Sequence, residues 1–181
     1  MSTPKLCLVI DVEATCWERN PPSGTPVNER KNEIIEFGLT TISMPDKKIV
    51  ESRSIIVWPT TTEISDYCTQ LTTLTPEFVE KNGISYSEAL DILRTEYRCD
   101  RNLWASWGCY DRDIILRQCQ QENIRSPFNM NHLNIKSAFC WKYGFNCGVR
   151  KALNRIGITF EGTPHRGIDD SKMIAKIFLS L

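Results

Sequence analysis

The sequence predicts an α/β protein with a mixed five-stranded sheet flanked by helices. Residues 6–10 (LCLVI) form an unbroken apolar run between polar residues, which is typical of a strand buried on both faces in the middle of a sheet. Strand-like and helix-like segments then alternate along the chain. With 181 residues, of which 41% are hydrophobic and 24% charged, the chain has the size and composition of one globular domain.

A hairpin is predicted after the first strand. Residues 33–44 and 48–58 have the apolar patterns of strands, and Pro45 and Asp46 between them mark a turn. Residues 17–32, which separate the first strand from this hairpin, are polar and rich in turn-forming residues. We therefore expect them to form a loop.

Capping residues predict the helices that follow the hairpin. Thr75 before Pro76 is typical of an N-cap with proline at the first helical position, and Gly83 predicts a left-handed C-cap for the same helix. Ser85 and Glu88 have the spacing of a capping box, which opens a helix that runs to about residue 98.

The second half of the chain alternates short strands with helices. Residues 103–107 and 131–136 are predicted strands; helices are predicted over about 111–122 and up to residue 143. Apolar residues at helical spacing mark two more helices: Val149, Ala152, Leu153 and Ile156, stopped by Gly157, and then Ile174, Ile177, Phe178 and Leu181. This order fits a ribonuclease H-like sheet of five strands in which the second strand is antiparallel.

Four carboxylates stand where this fold would bring them together. Asp11 and Glu13 leave the first strand on the same side, about 7 Å apart. Asp111 follows the strand at 103–107, and Asp170 lies in the first turn of the last helix. A ring of four carboxylates can hold two divalent cations about 3.5–4 Å apart, and oxygen ligands suit Mg²⁺ or Mn²⁺. Nearby stands His165, and a histidine beside such a site is a candidate proton acceptor from water.

Each of these residues also has a purely structural interpretation. Two acids at the end of a strand can simply face water, and Asp111 can be a helix N-cap. Asp170 and its neighbour Asp169 can complement the helix dipole, and His165 can be a surface loop residue.

Five sequence words carry a family resemblance: IDVEATCW, NEIIEFG, ISDYCTQLT, WGCYD and HRGIDDSKMIA. Their order of D-x-E, then D, then H-x-x-x-x-D resembles the DEDDh family of 3′→5′ exonucleases. The words are most similar to those of Eri-type exoribonucleases and three-prime histone mRNA exonucleases. The resemblance implies two Mg²⁺ ions, replaceable by Mn²⁺, on Asp11, Glu13, Asp111 and Asp170, with His165 as general base. The H-x-x-x-x-D spacing selects Asp170 over its neighbour.

The resemblance also implies a pocket for the terminal nucleotide. Backbone groups of Ala14 and Thr15 are expected near the 3′ hydroxyl, and Leu71 and Leu74 against the last base. Three aromatic faces for stacking and one cation for a phosphate complete the candidates: Tyr110, Phe139, Trp141 and Arg166. Core packing is the alternative for the aromatic residues, and solvent exposure is the alternative for the arginine.

The activity implied is the removal of 5′-mononucleotides from the 3′ ends of RNA and of single-stranded DNA. Two other functions remain open from the sequence. One is a ribonuclease H-type endonuclease, which has a similar sheet and acidic site. The other is a catalytically silent module that binds nucleic acid.

Charge and cysteine usage are compatible with a nucleic-acid enzyme inside the cell. The net charge is zero, but residues 126–181 hold eight basic and three acidic side chains, which suits contact with a phosphate backbone. The eight cysteines form no C-x-x-C pair, and neither histidine has zinc-site spacing from them, so reduced and mostly buried thiols are expected.

No targeting or membrane signal is evident. No apolar run approaches membrane-spanning length and no signal-peptide cleavage site follows the first residues, so we expect an intracellular protein of the cytoplasm or nucleus without a membrane partner. Residues 1–181 are expected to form a single exonuclease domain. The apolar helix at the end of the chain is compatible with a domain cut from a longer protein.

Overall fold

The computed structural model describes residues 5–18 and 32–181. The strands in these ranges are β1 (Leu6–Ala14), β2 (Ile34–Ser43), β3 (Lys48–Ile56), β4 (Leu103–Ser106) and β5 (His132–Asn134). They form one sheet in the order β3-β2-β1-β4-β5. β2 is antiparallel to β1 and β3, whereas β4 is parallel to β1 and to β5. The predicted mixed sheet is confirmed, while most of the loop predicted at 17–32 lies outside the described residues.

The helices described are α1 (Asp66–Thr72), α2 (Pro76–Asn82), α3 (Tyr86–Thr95), α4 (Tyr110–Gln121), α5 (Ile135–Tyr143), α6 (Val149–Arg155) and α7 (Gly167–Leu179). The predicted caps of α2 and α3 are present. Thr75 accepts the Phe78 N–H at 3.1 Å, and the capping box of Ser85 and Glu88 is closed in both directions. None of these helices is long and apolar enough to cross a membrane.

The end of α2 differs from the prediction. Gly83 has φ −77° and ψ 142°, an extended conformation, so a left-handed cap was the wrong expectation. Space is the reason for glycine here: a Cβ at this position would lie 2.5 Å from the Val79 carbonyl oxygen and 3.1 Å from the Trp58 nitrogen.

Two helix ends also fall earlier than predicted. α3 ends at Thr95 rather than near residue 98, where Arg98 has φ 50° and therefore cannot continue a right-handed helix. α7 ends at Leu179, so Leu181 lies beyond the helix and does not belong to its apolar face.

The eight cysteines agree with the predicted reduced state. All of them have free thiols, and five are buried. They act mainly as small apolar side chains of the core.

The alternation of side chains along β1 determines which helices face which residues. Cys7 and Val9 pack into a cluster with residues of α5, α6 and α7. The alternate residues Leu8 and Ile10 pack against α3 and α4. Because a strand has a period of two, Asp11 and Glu13 continue the row that faces α7. Both acids therefore leave the sheet on the side where the last helix begins.

The start of α7 lies directly on the backbone of β1 and β2. A Cβ on Gly167 would lie 2.9 Å from the Asp11 carbonyl oxygen and 2.9 Å from the Gly38 nitrogen. A Cβ on Gly38 would overlap the carbonyl group of Gly167. This contact between two glycines holds the first turn of α7, which carries Asp170, against the end of β1.

The contact predicts a large effect of a single methyl group. Gly38→Ala forces α7 away from the sheet, and we expect it to lower the free energy of unfolding by about 1–3 kcal/mol, the usual cost of overpacking, or by more. Denaturant unfolding would measure this. The control is Gly148→Ala, because nothing lies within 4 Å of a Cβ there and its φ is −81°. Equal stability of the two variants would contradict the contact.

Candidate active site

Three carboxylates converge where β1 meets α7. Asp11, Glu13 and Asp170 each offer one oxygen, and these oxygens all lie within 4.8 Å of one another. β1 supplies two of them from the face that α7 covers, and α7 supplies the third from its first turn. The structure thus brings together three of the four acids that the sequence singled out.

The fourth acid, Asp111, reaches the same place from α4. This helix begins just after β4, the parallel neighbour of β1. Asp111 Oδ1 accepts the backbone N–H of Val12 at 3.0 Å, and the N-cap of α4 is Cys109, so the N-cap interpretation of Asp111 is wrong. Asp111 lines the same cavity as the other three acids but is not a member of their cluster.

Burial beside like charges raises the pKa of all four carboxyl groups. Burial is the largest cause in each case. It raises the pKa of Glu13 to about 9 and that of Asp111 to about 6, and the pKa of Asp11 lies well above its usual range. Neighbouring carboxylates, Asp111 for Asp11 and Asp170 for Glu13, add to the effect. In the metal-free protein, burial and the neighbouring carboxylates thus oppose the ionisation of these acids.

These acids fit a divalent cation site. The three clustered residues, Asp11, Glu13 and Asp170, provide only oxygen donors, which hard divalent cations prefer. Their mutual repulsion and burial are the costs that a bound cation would remove. The donor chemistry and the charge of the site therefore agree.

His165 stands at the rim of this site. It lies in the loop before α7 with φ 60°, and its backbone N–H donates to Asp170 Oδ2 at 2.7 Å. The residue is exposed and lines the cavity that the four acids also line. The loop histidine is thus held next to a carboxylate of the cluster.

The cavity has a volume of about 520 Å³, and several of its lining residues were not predicted from the sequence. Those lining residues are Trp107, Gly148, Val149, Arg150, Lys151, Phe160 and Pro164. The Arg150 guanidinium lies 5.8 Å from the centroid of the Phe160 ring. The excess of basic residues after residue 126 was the only sequence signal that pointed to Arg150 and Lys151.

The residues predicted to bind a base lie in different environments. Tyr110 lines the cavity with 58% of its surface exposed, as stacking requires. Trp141 is 91% exposed on α5 but is not among the lining residues, and Leu71 is partly buried. For Trp141 and Leu71, contact with a base stays a prediction.

The structure contradicts base contacts for Phe139 and Leu74, since both are wholly buried. The Phe139 ring packs in the core with its centroid 4.5 Å from that of Tyr143 and 5.7 Å from that of Trp107. Leu74 belongs to a small apolar cluster formed with α1 and α2. Neither side chain presents a surface to a nucleotide, and the core-packing alternative holds for Phe139.

Backbone contacts of Ala14 and Thr15 with a 3′ hydroxyl stay a prediction, with one restriction. Thr15 is buried; its N–H donates to the Glu33 carbonyl at 2.9 Å, and its hydroxyl accepts the Glu33 N–H at 3.0 Å. The Ala14 carbonyl accepts the Cys68 thiol at 3.6 Å. The Thr15 N–H is therefore committed to the fold.

Arg166 and Asp169 both serve the loop that carries His165. Arg166 is partly buried and its Nε donates to the buried carboxylate of Glu36 at 3.1 Å, while its contact with a phosphate stays a prediction. Asp169 accepts the Thr163 N–H at 2.8 Å, so it anchors the turn before α7. This agrees with its predicted place at the helix start.

Known proteins are similar to this chain in sequence and in fold. A family model described as an exonuclease matches residues 8–178. The 3′-5′ exonuclease Snipper of Drosophila melanogaster is 29% identical over 197 residues, which cover 96% of this chain and 68% of that protein. The 3′-5′ exoribonuclease 1 of Homo sapiens is 32% identical over 184 residues, which cover 93% of this chain and 50% of the relative. The chain thus spans about half the length of the human protein.

Among solved structures, the nuclease domain of 3′hExo, a DEDDh family member bound to rAMP, matches with a TM-score of 0.84 at 28% identity. The match covers 99% of this chain and 92% of that one. The predicted ribonuclease H-like sheet is confirmed as the fold that these DEDDh nucleases share.

The raised pKa values predict a pH-dependent stability of the metal-free protein. Folded Glu13 keeps a proton that the unfolded chain releases near pH 4.5, so the stabilisation present at lower pH is lost as the pH rises towards about 9. We expect Asp11→Asn, which removes one buried ionisable group, to raise the melting temperature in EDTA at about pH 8 by about 2–4 °C, the shift that about 1 kcal/mol produces in a domain of this size. At about pH 5 the gain should shrink.

Differential scanning calorimetry at both pH values would measure these shifts. Asp113→Asn, on the exposed side of α4, is the control and should keep the wild-type pH dependence. A gain that is equal for Asp11→Asn and Asp113→Asn at both pH values would refute the repulsion.

Proposed function

Since this chain belongs to the exonuclease family, we propose that it is a metal-dependent 3′→5′ exonuclease that releases 5′-mononucleotides from the 3′ ends of RNA, with single-stranded DNA as a second substrate. The observation that carries the proposal is the convergence of Asp11, Glu13 and Asp170 in a cavity that Asp111 and His165 also line. The relatives named as exonuclease and exoribonuclease support it.

The proposed metal ligands are Asp11, Glu13 and Asp170, with Asp111 beside them, and the proposed ions are two Mg²⁺, replaceable by Mn²⁺. When bound, the ions neutralise the carboxylates and stabilise the negative charge that develops on the phosphate during displacement. The free thiols favour a reducing compartment, so we place the activity in the cytoplasm or nucleus.

His165 is the proposed general base. Its imidazole accepts a proton from the attacking water while the water oxygen bonds to phosphorus and the bond from phosphorus to the 3′ oxygen breaks. The electron pair leaves with that oxygen, which takes a proton from solvent and becomes the new 3′ hydroxyl. The exposed position of His165 at the rim lets the imidazole return its proton to bulk water.

Aromatic and basic side chains of the cavity are proposed to hold the strand. The exposed ring of Tyr110 offers a face for a base, a contact usually worth about 1–3 kcal/mol. Arg150 and Lys151 are proposed to meet the phosphates of the preceding nucleotides. A single strand with a free end can enter between these groups and the acids.

A ladder assay tests the activity. With 5′-labelled single-stranded RNA, single-stranded DNA and a stem with a 3′ tail, we expect products shortened one nucleotide at a time from the 3′ end in Mg²⁺ or Mn²⁺. A 3′-phosphate should block the reaction, and chelation should abolish it. Cuts in a circular RNA would instead support the endonuclease alternative, and binding without hydrolysis would support the silent module.

Two substitutions separate proton transfer from metal binding. Asp170→Asn removes a proposed ligand, so metal affinity and turnover should both collapse. His165→Ala should lower the rate about 10²–10⁴-fold, the usual contribution of a general base, with metal binding retained in calorimetry.

The matched control is Asp169→Asn, one residue from the proposed ligand, which keeps an acceptor for the Thr163 N–H and should retain the wild-type rate. If His165→Ala kept the wild-type rate and pH profile, another group would have to activate the water.

A further inference from the structure

A fully buried glutamate lies beside the proposed site without lining its cavity. Glu36 is on β2, directly opposite Glu13 of β1, and none of its surface is exposed. A buried carboxylate is costly unless it is paired and hydrogen-bonded, so its partners reveal what it stabilises.

Glu36 has three hydrogen-bonding partners: the Ser54 hydroxyl, which donates to Oε1 at 2.6 Å, and the two residues that follow His165. Arg166 donates from Nε to Oε2 at 3.1 Å and from Nη2 to Oε1 at 3.4 Å. The Gly167 N–H donates to Oε2 at 3.0 Å. One carboxylate thus binds the last residue of the loop and the first residue of α7, which are 130 and 131 positions away in sequence.

The histidine itself needs such an anchor. His165 has φ 60°, a left-handed conformation that costs a non-glycine residue free energy and persists only where the surroundings enforce it. Arg166, at the N-cap position of α7, makes no side-chain cap bond. Before the histidine, the loop is held by the bond from the Thr163 N–H to Asp169. At and after the histidine, it is held by the Asp170 bond and by the Glu36 pair.

We propose that Glu36 is a positioning residue that holds His165 over the carboxylate cluster through Arg166 and Gly167. The assignment rests on the proposed function, because it gives His165 its task. Asp170 depends less on Glu36, since α7 is also held by its buried apolar face of Met173, Ile174, Ala175 and Ile177. Loss of Glu36 should thus displace the histidine while the proposed metal ligands remain in place.

Glu36→Gln removes the charge and keeps the side-chain size. We expect kcat to fall about 10–100-fold, the usual effect of losing a residue that orients a functional side chain. KM and the calorimetric affinity for Mn²⁺ should stay near wild type. Hydrogen exchange of the amides at 165–168 should become faster. The control is Ser54→Ala, which removes the 2.6 Å bond from the Ser54 hydroxyl to Oε1 of Glu36 but keeps the bonds from Arg166 and Gly167 to Oε2. It should leave all four measurements unchanged.

A second variant covers a folding failure of the first. Arg166→Gln breaks the same pair from the loop side, and the double variant should cost no more than the larger single loss, because both remove one interaction. An unchanged kcat and exchange rate in either single variant would overturn the proposal. A parallel loss of Mn²⁺ affinity would also overturn it, since Glu36 would then support the metal ligands. If the wild-type protein hydrolysed no nucleic acid, the proposed function would fail, but the exchange rates would still show whether Glu36 holds the loop.

Discussion

The site depends on the close approach of a helix start to the backbone of two strands. Gly38 and Gly167 leave no room for a Cβ between them, so α7 begins directly on β1 and β2. That contact brings Asp170 within reach of the acids at the end of β1. A side chain at either glycine would separate the carboxylates, whatever their own conformation. The position of Asp170 beside the other acids therefore depends on the absence of a side chain at both glycines.

The same contact concentrates negative charge, and the acids differ in the hydrogen bonds that compensate for it. Glu36 and Asp169 accept N–H groups of the loop before α7, and Asp111 accepts one from β1. Asp11 and Glu13, by contrast, have strongly raised pKa values because burial and their neighbours oppose ionisation. Asp170 combines both features, since it accepts the His165 N–H and also belongs to the carboxylate cluster.

Local sequence rules predicted most of the fold and the main residues of the site. The apolar run of β1, the hairpin, the capping box at Ser85 and the D-x-E spacing are encoded within a few residues, so they could be inferred directly. The ion pair of Glu36 and Arg166 spans 130 positions and could not. The burial of Phe139 was equally invisible, because an aromatic residue on a short helix can face either the core or a ligand. The prediction of a left-handed conformation for Gly83 was wrong for a related reason. Glycine permits both a left-handed turn and a close approach of two backbone segments, and only the tertiary neighbour Trp58 shows which of the two is needed here.

The loop before α7 depends both on its local sequence and on long-range contacts. Pro164 is followed by His165 at the rim of the cavity, Arg166 paired in the interior and Gly167 packed on the strands. Because the arginine and the glycine have buried partners and the His165 N–H donates to Asp170, the backbone of the loop is held on both sides of the histidine. The backbone of an exposed loop can in this way be fixed by contacts with the interior. The fold achieves this through a carboxylate on β2 that need not contact the substrate.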